Sequence, residues 1–313
     1  STILLASSTF CSVSFACCAT ASPVSRLSPS TNPPSVEASS ASSPPSSTSS
    51  PSCSTKFSTS NITTSIGGVA LERTEAKLSA TVGVLNYINN GNICFLNGPA
   101  GSGKTSFLNA CMPFIPPNQR IISIEDTREL MLPEFLYWSP LITRTPNPEG
   151  KGEVSMLDLL INSLRMRPDR IILGEMRRKK EAMVLFEAMH TGHSVYATLH
   201  ADTASETVSR LINPPLDVPP NLLKSVHLNV VMFRERRKNI RRVSQIAEFE
   251  AEGNIAKANI IYRWSPETDK IVKHSESLRF FETISRNTGM SQTDITKDLK
   301  EKKNVLSWLI KNH

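Results

Sequence analysis

The sequence contains no pair of cysteines in C-x-x-C spacing, which excludes a zinc ribbon or a similar metal site. Four of its six cysteines lie within the first 60 residues, and the other two, Cys94 and Cys111, lie in a predicted strand and a predicted helix. We interpret Cys94 and Cys111 as small buried residues of a reduced, intracellular protein.

Charged side chains are nearly absent from the first 60 residues, where only Arg26, Glu37 and Lys56 occur. The same stretch is rich in Ser, Pro and Thr and offers almost no apolar surface that folding could bury. We therefore expect residues 1–65 to form a disordered tract. Its apolar opening lacks a basic start and an uninterrupted apolar run, which argues against an export signal or a membrane span.

A phosphate-binding motif follows the apolar run 93–96, where Gly98, Gly103, Lys104 and Thr105 fit the pattern G-x-x-x-x-G-K-[ST]. Glycines let the backbone curl until its N–H groups converge on phosphates, and the next helix adds its positive end. We expect Lys104 to contact the β- and γ-phosphates of ATP and Thr105 to bind Mg²⁺. The predicted nucleotide-binding residues are Gly98, Gly101, Ser102, Gly103, Lys104, Thr105 and Ser106.

Strands and helices alternate through the middle of the chain, which predicts an α/β fold with a mostly parallel sheet flanked by helices. A hairpin over 229–250, with a basic turn, is expected to extend the sheet, and the tail from about 276 is expected to be helical. Predicted strands cover 93–96, 120–126, 170–175 and 193–200, and predicted helices cover 71–90, 104–112, 153–166 and 179–192.

Polar side chains follow several of these strands at their carboxyl ends, where parallel sheets bind ligands. Glu125, Asp126 and Glu129 follow the second strand, and any one of them could polarise the water that attacks the γ-phosphate. Glu175 ends the third strand and is expected to hold Mg²⁺, partly through water. Two histidines bracket the fourth strand, about 23 Å apart, which is too far to share one metal ion.

Four ordered segments resemble the Walker A motif, Asp box, Walker B motif and His box of the secretion ATPase superfamily. They are GPAGSGKTS (98–106), SIEDTREL (123–130), LRMRPDRIILGEMR (164–177) and MHTGHSVYATLHA (189–201). The resemblance covers about residues 80–250, and the tail looks most like the archaeal branch. Members of this superfamily drive type II and type IV secretion, type IV pili and the archaeal flagellum.

The resemblance implies a RecA-like P-loop NTPase core and assigns roles to particular residues. Lys104, Glu129 and Glu175 match catalytic positions, with Glu129 as the residue that activates water and Glu175 as the atypical Walker B glutamate. His193 and His200 match the His box, which senses the nucleotide, and Arg165 and Arg167 match arginines near the phosphates. The implied ligands are ATP and Mg²⁺.

The implied assembly is a hexameric ring of identical subunits. It acts at a membrane platform protein on the inner, cytoplasmic face of the cytoplasmic membrane.

The predicted organisation is the tract 1–65, a P-loop ATPase core over 66–265 and a helical C-terminal region over 266–313. Members of the superfamily have a folded domain before the ATPase core, and here the Ser-rich tract stands in that place. Either the chain is a reduced member or this segment comes from a misread frame, and slow ATP turnover is expected if the domain is absent.

Two other functions remain open from the sequence. The basic run RERRKNIRR (234–242) and the helical tail suit a DNA-handling ATPase of a conjugation-like system, although a solvated hairpin turn is the favoured interpretation of this run. The net charge of +7 does not by itself indicate nucleic acid. The other alternative is a nucleotide-binding member of the superfamily with little hydrolysis.

Overall fold

A computed structural model describes residues 75–312, so the predicted tract 1–65 lies outside the described residues. Helices and strands alternate from residue 75 to about 235, except that β3 follows β2 with no helix between them. A run of antiparallel strands and then two helices follow. The helices are α1 (Glu75–Asn89), α2 (Lys104–Cys111), α3 (Met156–Leu164), α4 (Lys179–His190), α5 (Ala204–Ile212), α6 (Phe280–Thr288) and α7 (Gln292–Asn312). The strands are β1 (Cys94–Asn97), β2 (Arg120–Glu125), β3 (Tyr137–Ile142), β4 (Arg170–Leu173), β5 (Ser194–Leu199), β6 (Leu228–Glu235), β7 (Ile240–Glu252), β8 (Ile255–Ser265) and β9 (Lys270–Lys273).

The strands form one sheet in the order β3-β2-β4-β5-β1-β6-β7-β8-β9. Pairing is parallel from β3 to β6 and antiparallel from β6 to β9. The P-loop strand β1 lies between β5 and β6, so the strand that leads into the phosphate loop is central. The expected α/β fold with a RecA-like core and a mostly parallel sheet flanked by helices is confirmed.

Helices cover both faces of the parallel strands, which is why these strands are continuous apolar runs. Phe95 and Leu96 are adjacent in β1, yet they belong to separate hydrophobic cores on opposite faces of the sheet. Phe186 of α4 packs in the first core, and Ile88 of α1 and Leu108 of α2 pack in the second. The carboxyl ends of the strands are therefore held between two packed layers.

Two parts of the sheet differ from the expectations. The strand β3 was not predicted, because Pro140 and the exposed Tyr137 and Ile142 obscure its pattern, and its place at the sheet edge tolerates a proline. The hairpin of β8 and β9 was also not predicted, since most of its residues are only partly buried. The strand Lys270–Lys273 lies in the range predicted to be helical, so that expectation is wrong there.

The remainder of the tail is helical, as the sequence indicates. Ser291 and Asp294 form the predicted start of α7: the Asp294 N–H donates to Ser291 Oγ (3.2 Å), and the Ser291 N–H donates to Asp294 Oδ2 (3.3 Å). Lys302 of α7 donates to Asn86 Oδ1 of α1 over 2.7 Å, which ties the last helix to the first one described. Within 75–312, no helix is both long and apolar enough to cross a bilayer.

Candidate nucleotide-binding site

The loop between β1 and α2 is shaped by three glycines with positive φ, namely Gly98 (141°), Gly101 (70°) and Gly103 (95°). A Cβ atom on Gly98 would lie 2.5 Å from the main-chain oxygen of Met232 in β6, so no side chain fits there. The helix α2 begins directly after the loop, at Lys104. Its first N–H groups and its dipole favour an anion at this position.

Lys104 extends from the start of α2 back over the loop. Its ammonium donates to the carbonyl oxygens of Gly98 (2.8 Å) and Pro99 (3.2 Å). Partial burial lowers the pKa of Lys104, and the charges of Glu175 and Glu129 act in the opposite direction. The side chain is therefore held within the loop, close to two carboxylates.

His200 connects the P-loop with the end of β4. Its Nδ1 lies 3.4 Å from Lys104 Nζ, and its Nε2 lies 3.3 Å from Glu175 Oε1. Nδ1 also lies 3.2 Å from the main-chain oxygen of Gly98. With its proton on Nδ1 the ring donates to this oxygen, and with its proton on Nε2 it accepts from the Lys104 ammonium and donates to Glu175. In either form, His200 lies in contact with both Lys104 and Glu175 across the strand ends.

Glu175 is also bound by Arg177, a residue that the sequence analysis did not single out. One guanidinium nitrogen lies 2.6 Å from Glu175 Oε2, and another lies 3.1 Å from Asp126 Oδ2. Burial alone would raise the pKa of Glu175, but the hydrogen bond from Arg177 and the charges of His200, Arg177 and Lys104 together lower it. Glu175 is therefore held as a carboxylate. An arginine two residues after the strand-end glutamate is the signal that could have indicated this pair.

The three acids of the Asp box have different partners. Glu125 is buried and accepts from the main-chain N–H groups of Glu129 (3.1 Å) and Leu130 (3.0 Å), so it shapes the loop. Asp126 pairs with Arg177. Glu129 accepts a 2.7 Å hydrogen bond from the hydroxyl of Thr105. Of the three, Glu129 therefore has the most direct contact with the P-loop.

Three other predicted site residues, His193, Arg165 and Arg167, lie near the amino ends of β5 and β4, opposite the ends that meet the P-loop. His193 precedes β5, and its Nδ1 lies 3.1 Å from the Ala188 oxygen at the end of α4. Arg165 and Arg167 are exposed and lie between α3 and the start of β4. A strand of six residues spans about 20 Å, so His193 does not reach the P-loop with His200.

The residues at this site fit a nucleoside triphosphate and a magnesium ion. The buried Ser102 Oγ has no hydrogen-bond partner among the described residues. Ser106 is exposed in the first turn of α2. The hydroxyl of Thr105 and the carboxylates of Glu129 and Glu175 are hard oxygen donors, the kind that Mg²⁺ prefers.

A family model described as "Type II/IV secretion system protein" matches residues 59–263. An uncharacterized protein of Methanocaldococcus jannaschii is 37% identical over 232 residues, with 70% of this chain and 41% of that protein covered. A second uncharacterized protein of that organism is 33% identical over 225 residues, with 70% of this chain and 82% of that protein covered.

One solved structure is similar over about half of its length. The VirB11 ATPase of the Brucella suis type IV secretion system, in complex with sulphate, is 28% identical, with 55% of this chain and 51% of that chain covered. The TM-score of the two structures is 0.44. The chain spans 41% of the first relative and 51% of this ATPase.

Proposed function

Because the chain belongs to the type II/IV secretion system protein family, whose members are ATPases, we propose that it is a motor subunit that hydrolyses ATP. The free energy of ATP hydrolysis would drive a secretion, pilus or archaellum-like machine. The observation that carries this proposal is the contact of Lys104 with His200 and of His200 with Glu175. A phosphate-binding loop, a polar sensor and a strand-end carboxylate meet in these contacts.

The loop residues bind the phosphates in this proposal. Lys104 moves its ammonium from the carbonyls of Gly98 and Pro99 to the β- and γ-phosphate oxygens. The N–H groups of the loop and of the first turn of α2 surround the β-phosphate. The residues in these binding roles are Gly98, Gly101, Ser102, Gly103, Lys104, Thr105 and Ser106.

Glu129 and Glu175 have different roles in the proposed hydrolysis. Glu129 accepts a proton from the water that attacks the γ-phosphate, because it lies beside the Thr105 hydroxyl. Glu175 is kept ionised by Arg177, so it is suited to orienting metal-bound water and not to taking up a proton. Thr105 and Glu175 would hold Mg²⁺, partly through water, and the ion would neutralise charge on the transferred phosphate.

Of the residues that we assign to sensing the bound nucleotide, His200 lies within the site itself. It contacts both Lys104 and Glu175, so movement of either side chain on binding changes its hydrogen bonds. We assign His193, Arg165 and Arg167 to contacts with the nucleotide of a neighbouring subunit, since they lie far from the P-loop of their own chain. This assignment fits a hexameric ring bound to a platform protein at the cytoplasmic face of the membrane.

Phosphate release from Mg-ATP by the full chain tests the proposal, together with a sizing measurement with and without nucleotide. Hydrolysis that depends on Mg²⁺, with a shift toward a ring when ATP is added, is the expected result. Tight ATP binding without measurable phosphate release would favour a binding member of the family. Absence of both binding and release would reject the proposal.

A further inference from the structure

The hairpin of β6 and β7 lies directly beside the P-loop. Its basic run 234–242 is exposed at the tip, residues 236–239, but its flanking arginines Arg234 and Arg241 are half-buried. Both of these arginines contact Gly101, the glycine in the middle of the P-loop. The run therefore differs from the solvated turn expected from the sequence, because its ends pack on the phosphate-binding loop.

Arg241 holds the outer side of the loop. Its Nε donates to the carbonyl oxygen of Gly101 over 3.0 Å, and its Cδ lies 3.5 Å from the position that a Cβ atom on Gly103 would take. The next N–H along, that of Ser102, donates to the Pro99 oxygen over 3.2 Å. The peptide group between Gly101 and Ser102 is thus held by hydrogen bonds at both its carbonyl and its N–H.

Arg234 packs against the same glycine from β6. Its Nη1 occupies the place that a Cβ atom on Gly101 would need, which accounts for glycine at this position. Its Nε is buried and makes no hydrogen bond to any residue within 75–312. A buried guanidinium N–H group with no acceptor is costly, and the described residues supply none, so this N–H group is available to an acceptor such as a bound anion.

The position of the hairpin indicates which part of a nucleotide it serves. His200 and Glu175 follow β5 and β4, on one side of β1, and mark the γ-phosphate and metal end of the site. The hairpin begins with β6, which pairs with the other side of β1. Arg234 and Arg241 therefore lie on the side of the loop away from the γ-phosphate. On that side they are nearest to the α- and β-phosphates of a bound nucleotide.

We propose that Arg234 and Arg241 are positioning residues that fix the shape of the P-loop and add positive charge beside the diphosphate portion of a bound nucleotide. This inference rests on the proposed function and names a subsite within it. Both arginines act on features that a nucleoside diphosphate and a triphosphate share. They contribute equally to binding of ADP and ATP, whereas residues at the γ-phosphate distinguish the two nucleotides.

The test measures the Kd of ADP and of Mg-ATP for the full chain by calorimetry at fixed salt, in Arg234→Gln and Arg241→Gln. We expect each variant to weaken both nucleotides by roughly tenfold or more, with an unchanged ratio of the two Kd values. Arg237→Gln removes the same charge from the exposed tip of the same hairpin, and its Kd values should stay within about twofold of those of the wild type.

Melting without nucleotide shows whether each variant is folded. Arg241→Gln is the decisive variant if the more buried Arg234 is needed for folding. Wild-type affinity in Arg241→Gln, or an equal loss in Arg237→Gln, overturns the inference while leaving the proposed function intact. A loss confined to ATP overturns the diphosphate assignment. A wild-type chain that binds neither nucleotide overturns the proposed function and this inference with it.

Discussion

The hydroxyl of Thr105 donates a 2.7 Å hydrogen bond to the carboxylate of Glu129, which joins the first turn of the P-loop helix to the loop after β2. Thr105 occupies the motif position whose hydroxyl is expected on Mg²⁺. Glu129 is thereby located next to the metal and the γ-phosphate in the proposed site. Glu175, in contrast, lies across the site with His200 and Arg177.

Glu129→Gln is expected to bind ATP and to hydrolyse it about 10²-fold more slowly or worse, because a positioned general base contributes at least that factor. Binding should persist, since the amide still accepts from the Thr105 hydroxyl. The measurement is single-turnover phosphate release combined with the ATP Kd.

Glu134→Gln is the matched control, because Glu134 is an exposed acid a few residues farther along the same loop. Its rate should remain near that of the wild type. If Glu175→Gln binds ATP but fails to hydrolyse it while Glu129→Gln remains active, then Glu175 is the general base and the two roles must be exchanged.

Arg177→Gln is expected to move the acid limb of the hydrolysis profile to higher pH. Burial raises the pKa of Glu175, but the hydrogen bond from Arg177, the largest of the lowering contributions, acts together with the charges of His200, Arg177 and Lys104 to lower it, so the carboxylate persists below its ordinary pKa. A lowered folded-state pKa also stabilises the fold above the unfolded pKa, and this contribution is lost as pH falls through the folded pKa. Without Arg177, the pKa of Glu175 rises and protonation begins earlier on acidification.

Phosphate release as a function of pH checks this expectation. Lys180→Gln serves as the control, since it removes a positive charge three residues away from an exposed position. An acid limb that stays in place in Arg177→Gln would show that Glu175 does not govern this part of the profile.

The strand ends of the site could be predicted because β1, β2, β4 and β5 are largely apolar, buried runs. The strand β1 leads into the P-loop, and Asp126, Glu175 and His200 follow β2, β4 and β5 within two residues. The spacing of Gly98, Gly103, Lys104 and Thr105 likewise predicts the loop and the helix after it. Which strands are neighbours cannot be read from the order of elements along the chain. The bridge from Asp126 through Arg177 to Glu175 exists because β2 lies beside β4 in the sheet.

The two histidines show a further limit of sequence motifs. His193 and His200 belong to one box in the linear sequence, but they lie at opposite ends of β5, and only His200 contacts Lys104. The basic run over 234–242 shows the same limit, because its charge alone indicates a solvated turn or a nucleic-acid-binding surface. Its contact with Gly101 depends on β6 being paired with β1, which no local pattern reveals.

Arg170→Met is expected to lower the free energy of unfolding by about 2–4 kcal/mol, which is the scale for leaving buried groups unsatisfied. The Arg170 guanidinium is fully buried and donates to the carbonyls of Ile88 and Asn89 at the end of α1, to Gln119 and to Tyr196. Methionine fills much of the volume but provides no donor for these oxygens.

Urea unfolding of the full chain measures this change. Arg263→Met, on the exposed side of β8, is the control and should change stability by less than about 0.5 kcal/mol. Equal stability of Arg170→Met and the wild type would mean that the buried guanidinium does not hold α1 to the sheet.

Steady-state phosphate release from Mg-ATP by the wild-type chain and by Lys104→Ala, with melting curves recorded without nucleotide, tests most directly whether this loop is the site of ATP hydrolysis. Lys104 contacts the loop carbonyls and His200, and in the proposed site its ammonium neutralises charge on the β- and γ-phosphates. We predict release by the wild type, none above background in Lys104→Ala, and closely similar melting temperatures. Wild-type release in a folded Lys104→Ala variant would contradict the assignment of this loop as the site of ATP hydrolysis.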